Sequence, residues 1–192
     1  MTVPTLICNF FGGPSTDKST VCAHTFAELK WKGLNVEMAL EYAKDKVWEG
    51  SLDVLDNQMY IFGKQYHRIH RLLGKVDIIL TDSPLLLSLI YGKHLPQEFS
   101  DLVLQQHKSL NNFNIFLQRV KPFNPAGRVQ NEEKSRKIDD DIYALLRKHS
   151  VACTVLPAER DTVKDVIHFI EMAYDTMRKR TDREFFMPGE GC

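Results

Sequence analysis

The sequence predicts an α/β fold of three layers, a mostly parallel five-stranded sheet with helices on both faces, and two observations predict it. Short runs that are apolar at nearly every position recur along the 192 residues, and between them lie stretches with apolar residues at i, i+3 and i+4. Strands without polar alternation suit a sheet buried on both faces, the condition of parallel strands joined by crossover helices. The second observation is Gly12-Gly13-Pro14-Ser15-Thr16-Asp17-Lys18-Ser19-Thr20, set between the first apolar run and the first helical stretch. That is the context of a phosphate-binding loop, so the expectation sharpens to a P-loop NTPase fold with a short lid.

Taken in order, the strands are expected at Thr5–Phe11, Asn35–Glu41, Val76–Thr81, Asn114–Arg119 and Val151–Leu156, each brief and apolar. Helical periodicity with few breakers covers Lys18–Lys32, Tyr42–Trp48, Val54–Leu73, Gln97–Lys108, Glu132–His149 and Asp161–Lys179. Residues 119–131 carry Pro122, Pro125 and Gly127 and read as an irregular lid. Residues 1–180 are expected to form one domain, since two would each be thin on core at this length, and the polar stretch 181–192 reads as a flexible tail.

Lysine plus arginine and aspartate plus glutamate both total 25, so no global field draws the chain to nucleic acid or an anionic membrane, and any basic surface is local. Cys8, Cys22, Cys153 and Cys192 lack CxxC spacing, which argues against a zinc site. No stretch approaches the roughly 20 apolar residues of a membrane span, and a reducing cytoplasm is the expected setting.

The loop carries most of the chemistry. Small residues let backbone N–H groups converge on phosphate oxygens, a helix N-terminus adds partial positive charge, a lysine reaches the terminal phosphates and a hydroxyl reaches Mg²⁺. Gly12, Lys18 and Ser19 fill those places, with Gly13, Pro14, Ser15, Thr16 and Thr20 completing an ATP site. Asp17 stands where GxxxxGK[ST] has its second glycine. A carboxylate ~4 Å from an anion costs on the order of 4 kcal/mol at an effective dielectric near 20. Three readings are open: a kinase loop weakened by Asp17, a nucleotide-binding or regulatory protein that has lost catalysis, and a plain turn before a helix.

These residues resemble the P-loop kinase group that contains the nicotinamide riboside kinase domain of the bacterial NAD regulator and related phage-encoded kinases. The likeness rests on the phosphate loop, on Glu41-Tyr42-Ala43-Lys44, on Thr81-Asp82-Ser83-Pro84 ending the third strand, and on Arg119 to Arg128 as a lid. Lys44 stands where that group has arginine, keeping the charge without a planar bidentate fork. The resemblance implies a nucleoside, nucleotide or modified base as acceptor, in DNA or free, and a host cytoplasm if the chain is phage-encoded.

Asp82 falls at the carboxyl edge of its strand, where open α/β sheets bind ligands. There a carboxylate can hold Mg²⁺ with Ser19 or accept a substrate proton, and it can equally cap the helix that follows. Glu41 ends the second strand and can face Asp82 across the site or serve as a first-turn acid; the base is one of the two. Lys64, Arg68 and Arg71 recur at i, i+4 and i+7 beside His67 and His70, a basic stripe for an anionic substrate or a solvated face. Arg119, Lys121 and Arg128 bracket the lid, placed to stabilise moving charge or to bind substrate. Tyr42 and Tyr66 are aromatic candidates for the pocket. The expected activity is ATP- and Mg²⁺-dependent phosphoryl transfer, with a partner-coupled ATPase as the competing class.

Overall fold

All six residues of β1 (Leu6–Phe11) are buried in the computed structural model, which describes residues 4–124 and 131–186. Burial on both faces follows from its place at the centre of the sheet, between β3 (Ile78–Thr81) and β4 (Asn111–Gln118). β2 (Val36–Met38) and β5 (Thr154–Pro157) lie at the edges, giving the order β2-β3-β1-β4-β5. Every pairing is parallel, with Leu6 opposite both Ile78 and Asn111. The fold is therefore the expected P-loop NTPase-like α/β architecture, and its sheet is wholly parallel.

Alternation along β1 divides the core. Leu6, Cys8 and Phe10 pack with Val21, Cys22 and Leu29 of α1 (Lys18–Trp31) and with Val166 and Ile170 of α7 (Thr162–Phe186). Ile7 and Phe11 face the opposite layer: α3 (Gln58–His70), α4 (Ser88–Tyr91), α5 (Gln97–Lys108) and α6 (Glu132–Lys148). A fully buried side chain of this size contributes roughly 1.5–3 kcal/mol, so each residue of β1 anchors one helical layer or the other. Asn9 is the polar exception, and its amide donates to Asn112 and Asn114 on β4 at 2.9 and 3.0 Å.

The structure corrects several expected boundaries. β2 stops at Met38 because side chains take over the ladder: Thr81 Oγ1 donates to Ala39 O at 2.7 Å, and the Asp82 carboxylate receives the Glu41 N–H. The expected helix 54–73 is a 3₁₀ turn, Leu52–Asp56, followed by α3, whose start Asn57 caps by accepting from Tyr60 N. Between Glu41 and that turn lies α2 (Tyr42–Trp48), as expected. Val151 is not in a strand: Ser150 takes φ 53° and Val151 N bonds Leu146 O, closing the end of α6 in a Schellman arrangement. α7 continues through Phe186, past the expected helix end at Lys179. Residues 125–130, with Arg128 and most of the lid's Pro/Gly core, lie outside the described residues, as do residues 187–192. Among the described residues no helix is long and apolar enough to cross a membrane.

Candidate active site

Three strand ends meet at the carboxyl edge of the sheet: the loop after β1, Asp82 after β3 and Arg119 after β4. Gly12 leaves β1 at φ 142°, and a Cβ there would come within 2.6 Å of Thr16 Oγ1. The loop then closes on itself. Thr16 Oγ1 and Lys18 Nζ each donate to Gly13 O at 2.8 Å, and the Asp17 carbonyl takes the first α1 hydrogen bond, from Val21 N. Asp17 adopts φ 55° and ψ 20°, the left-handed conformation that a glycine would supply there and that aspartate tolerates better than most residues. Asp17 therefore holds a backbone conformation of the kind a glycine allows at this position. The Asp17 carboxylate turns toward Lys121, with Oδ2 2.7 Å from its Nζ.

Arg119 braces the loop from outside. Its guanidinium donates to Ser15 O at 2.9 Å, Pro14 O at 2.8 Å and Ser135 Oγ at 2.6 Å, and it pairs with Asp139. Its side chain is only 5% exposed, and its donors point to the loop's carbonyls and to α6, not into the cavity. Ser15 Oγ accepts from Asn124 N at 2.8 Å, so the described start of the lid also rests on the loop.

A cavity of about 330 Å³ opens between the loop and the α2–α3 layer. From the loop it is lined by Pro14, Ser15, Thr16, Asp17, Lys18 and Ser19, from the end of β3 by Asp82, and from the start of α2 by Glu41 and Lys44. Asp82 is 3% exposed, and its Oδ1 accepts the Glu41 N–H at 2.9 Å. Burial pushes its carboxyl up from the ordinary aspartate range, against the opposing pull of Lys18, the Glu41 amide and Lys44. The structure thus brings together Lys18, Ser19, Glu41, Lys44 and Asp82.

Other expected site residues sit elsewhere. Thr20 is exposed and lines a second cavity, of about 380 Å³, on the other side of the loop, with Val21, His24, Lys121, Ala158 and Arg160. Asp17 is the one residue the two cavities share among the described residues. Arg68 donates to Leu40 O at 2.9 Å and pairs with Asp45, with its guanidinium over the Tyr42 ring, so it fastens α2 to α3. Tyr42 bonds the Tyr60 hydroxyl, and Lys64 lies over the Tyr60 ring. Arg71 follows α3 on the surface, and Tyr66 stacks on Phe62. None of these five lines the main cavity.

Gln58, Ile61 and Gln65 do line it, and the sequence reading passed over them. Their spacing of i, i+3 and i+7 on α3 was a signal, a mixed polar and apolar face adjoining the basic stripe. Gln65 holds the site's frame, accepting from Tyr42 N at 3.0 Å and donating to Ala39 O at 3.2 Å. Leu55, Leu87, Ser88 and Tyr91 complete a wall that depends on the 3₁₀ turn Leu52–Asp56, on a second 3₁₀ turn at Leu85–Leu87 and on α4. No cluster of three histidine, cysteine or acidic side chains able to cage a metal occurs among the described residues. One hydroxyl, Ser19, and one buried carboxylate, Asp82, fit instead a Mg²⁺ that keeps water and takes further oxygens from phosphate.

A family model described as an AAA domain matches residues 7–165. None of the curated proteins compared matches the chain. Among solved structures, the NadR protein in complex with NR superposes with a TM-score of 0.66 and 14% identity, covering 84% of this chain and 50% of its own. The chain therefore spans half the length of NadR. Thymidylate kinase from Ehrlichia chaffeensis superposes with a TM-score of 0.53 and 12% identity over 90% of this chain and 99% of its own. At these identities the likeness is one of fold.

Proposed function

The chain belongs to the AAA-domain family, and from that premise we propose that it is an ATP-dependent phosphotransferase whose acceptor is the hydroxyl of a small nucleoside-class molecule. One observation carries the reading: the phosphate loop opens onto a walled cavity in which Lys18 and Ser19 face Glu41 and Asp82. An ATPase that transfers phosphate only to water has no need of such a chamber. The two solved kinase-type folds, one bound to NR and the other a thymidylate kinase, support an acceptor of nucleoside character.

The nucleotide would lie across the loop, its base in the second cavity beside Val21 and Ala158 and its phosphates on the loop amides and Lys18. Ser19 and Asp82 would hold Mg²⁺, which when bound neutralises charge on the phosphates. Lys18 draws the Asp82 carboxyl downward against the effect of burial, which supports giving Asp82 the phosphate-side role. Glu41 is half-buried in the cavity wall and would accept the acceptor's hydroxyl proton.

The cavity's charge favours an acceptor without its own phosphate. Asp17, Glu41, Asp56 and Asp82 line it against Lys18 and Lys44, and no arginine lines it among the described residues. A free small molecule is favoured over DNA, because Arg68 of the basic stripe is already engaged with Asp45 and Leu40.

Asp17 supports a second reading, a protein that binds nucleotide without turnover. One assay separates the readings: ADP release from Mg²⁺-ATP with a panel of nucleosides, nucleoside monophosphates and no acceptor. The kinase reading expects release that depends on a nucleoside and falls at least about a hundredfold in Lys18→Ala. Acceptor-independent hydrolysis would favour a partner-coupled ATPase, and binding with no release would favour the regulatory reading.

A further inference from the structure

We propose that Lys121 is the charge-compensating residue that allows a phosphate loop carrying Asp17 to hold a nucleotide; the inference rests on the nucleotide-binding reading given above. Asp17 keeps the left-handed backbone of the loop, so the obstacle it presents is its charge and not its conformation. That charge sits where it matters, at the single residue common to the two cavities among the described residues. A nucleotide spanning them would pass beside this residue.

The structure meets the charge with Lys121. Asp17 Oδ2 is sealed from solvent 2.7 Å from Lys121 Nζ, as an ion pair without hydrogen-bond alignment. Lys121 reaches it from the segment after β4, and its side chain is 61% exposed, so neither the sheet nor the core depends on the contact. Arg119, another cation near the loop, is committed to Asp139, Ser135 and two loop carbonyls. Lys18 Nζ donates to Gly13 O on the loop itself. Lys121 also lines the second cavity, so it stands beside the nucleotide's path as well as beside Asp17. An exposed ion pair is worth little to folding. Its value here lies in cancelling a repulsion that acts only when an anion enters the site.

This role differs from that of a lysine binding phosphate directly, and a double-mutant cycle distinguishes them. Calorimetry would measure the affinity of a Mg²⁺-bound non-hydrolysable ATP analogue for the wild type, Lys121→Ala, Asp17→Gly and the double variant. Compensation predicts that Lys121→Ala weakens binding on the order of tenfold or more. In the Asp17→Gly background the same change should matter less than about twofold, and Lys121→Arg should retain binding. Equal weakening in both backgrounds would make Lys121 a direct phosphate ligand and overturn the proposal, as would unchanged affinity in Lys121→Ala. If neither the wild type nor Asp17→Gly binds the analogue, the nucleotide reading itself fails and takes this proposal with it.

Discussion

The Arg119 guanidinium and the Asp139 carboxylate are joined through Nε at 3.2 Å and Nη2 at 3.0 Å, both to Oδ2, while Oδ1 of the same carboxylate accepts the Gly13 N–H. One carboxylate on α6 thereby ties the end of β4 to the phosphate loop. Removing the carboxylate of this partly buried pair leaves the guanidinium and the Gly13 N–H without their acceptor, at a cost of about 1–3 kcal/mol. Asp139→Ala is therefore expected to lower unfolding stability in urea by that order. Arg119→Lys should fail to restore the brace, because an ammonium lacks the planar fork that reaches Ser15 O, Pro14 O and Asp139 together. Stability within 1 kcal/mol of wild type in Asp139→Ala would show that the pair does not support the loop.

Gly13 is a point of close approach between the loop and α6. A Cβ there would lie 2.7 Å from both Asp139 Oδ1 and Ser135 O, one a constrained side chain and the other backbone. Gly13→Ala should push α6 from the loop and cost about 1–3 kcal/mol, the usual range for overpacking. The same variant should bind nucleotide more weakly, since Gly13 O receives both Thr16 and Lys18. Unaltered affinity together with unaltered stability would mean that the contact yields freely.

Asp82 links the site to pH. Its folded carboxyl is raised above the ordinary aspartate value by burial, so between the unfolded and folded values the native state holds more protons. Stability contributed by this group is therefore lost as pH rises from about 4 through the folded value. Asp82→Asn, which keeps an acceptor oxygen for the Glu41 N–H, should be more stable than wild type at neutral pH and equal to it in acid, while phosphoryl transfer is lost. Urea midpoints at both pH values test this, and a variant less stable at neutral pH would contradict it.

His107 works in the opposite sense. Burial lowers it from 6.5 to about 4, so the unfolded chain binds the proton first as pH falls. The stability it contributes is complete above about pH 6.5 and declines as pH falls toward the folded value. His107→Leu should flatten the stability profile in that interval; an unchanged slope would assign acid sensitivity to other groups.

Much of the architecture was legible because parallel strands declare themselves by continuous apolar runs, as LICNFF does in β1. The phosphate loop was legible because its chemistry is local, and Lys18, Ser19, Glu41 and Asp82 do share a cavity. What escaped was nonlocal. Nothing in the spacing of Lys64, Arg68 and Arg71 shows that Arg68 turns toward Asp45 on α2. Nor does the segment beginning at Arg119 show that this arginine faces loop carbonyls and α6. The end of β2 was misjudged for a related reason: Thr81, Asp82 and Gln65 replace its ladder with side-chain hydrogen bonds, a substitution visible only once β3 and α3 are in place.

Cys8 on β1 and Cys22 on α1 lie in the same core layer with no exposed surface, and burial drives both thiols far from the thiolate form. Because only thiolate reacts readily, these two sulfurs are silent toward alkylating reagents for as long as β1 and α1 stay together. Their modification rate thus becomes a clock for opening of the central strand and the helix behind the phosphate loop. The same clock reports ligand occupancy, since anything that holds the loop closed slows it in proportion to binding.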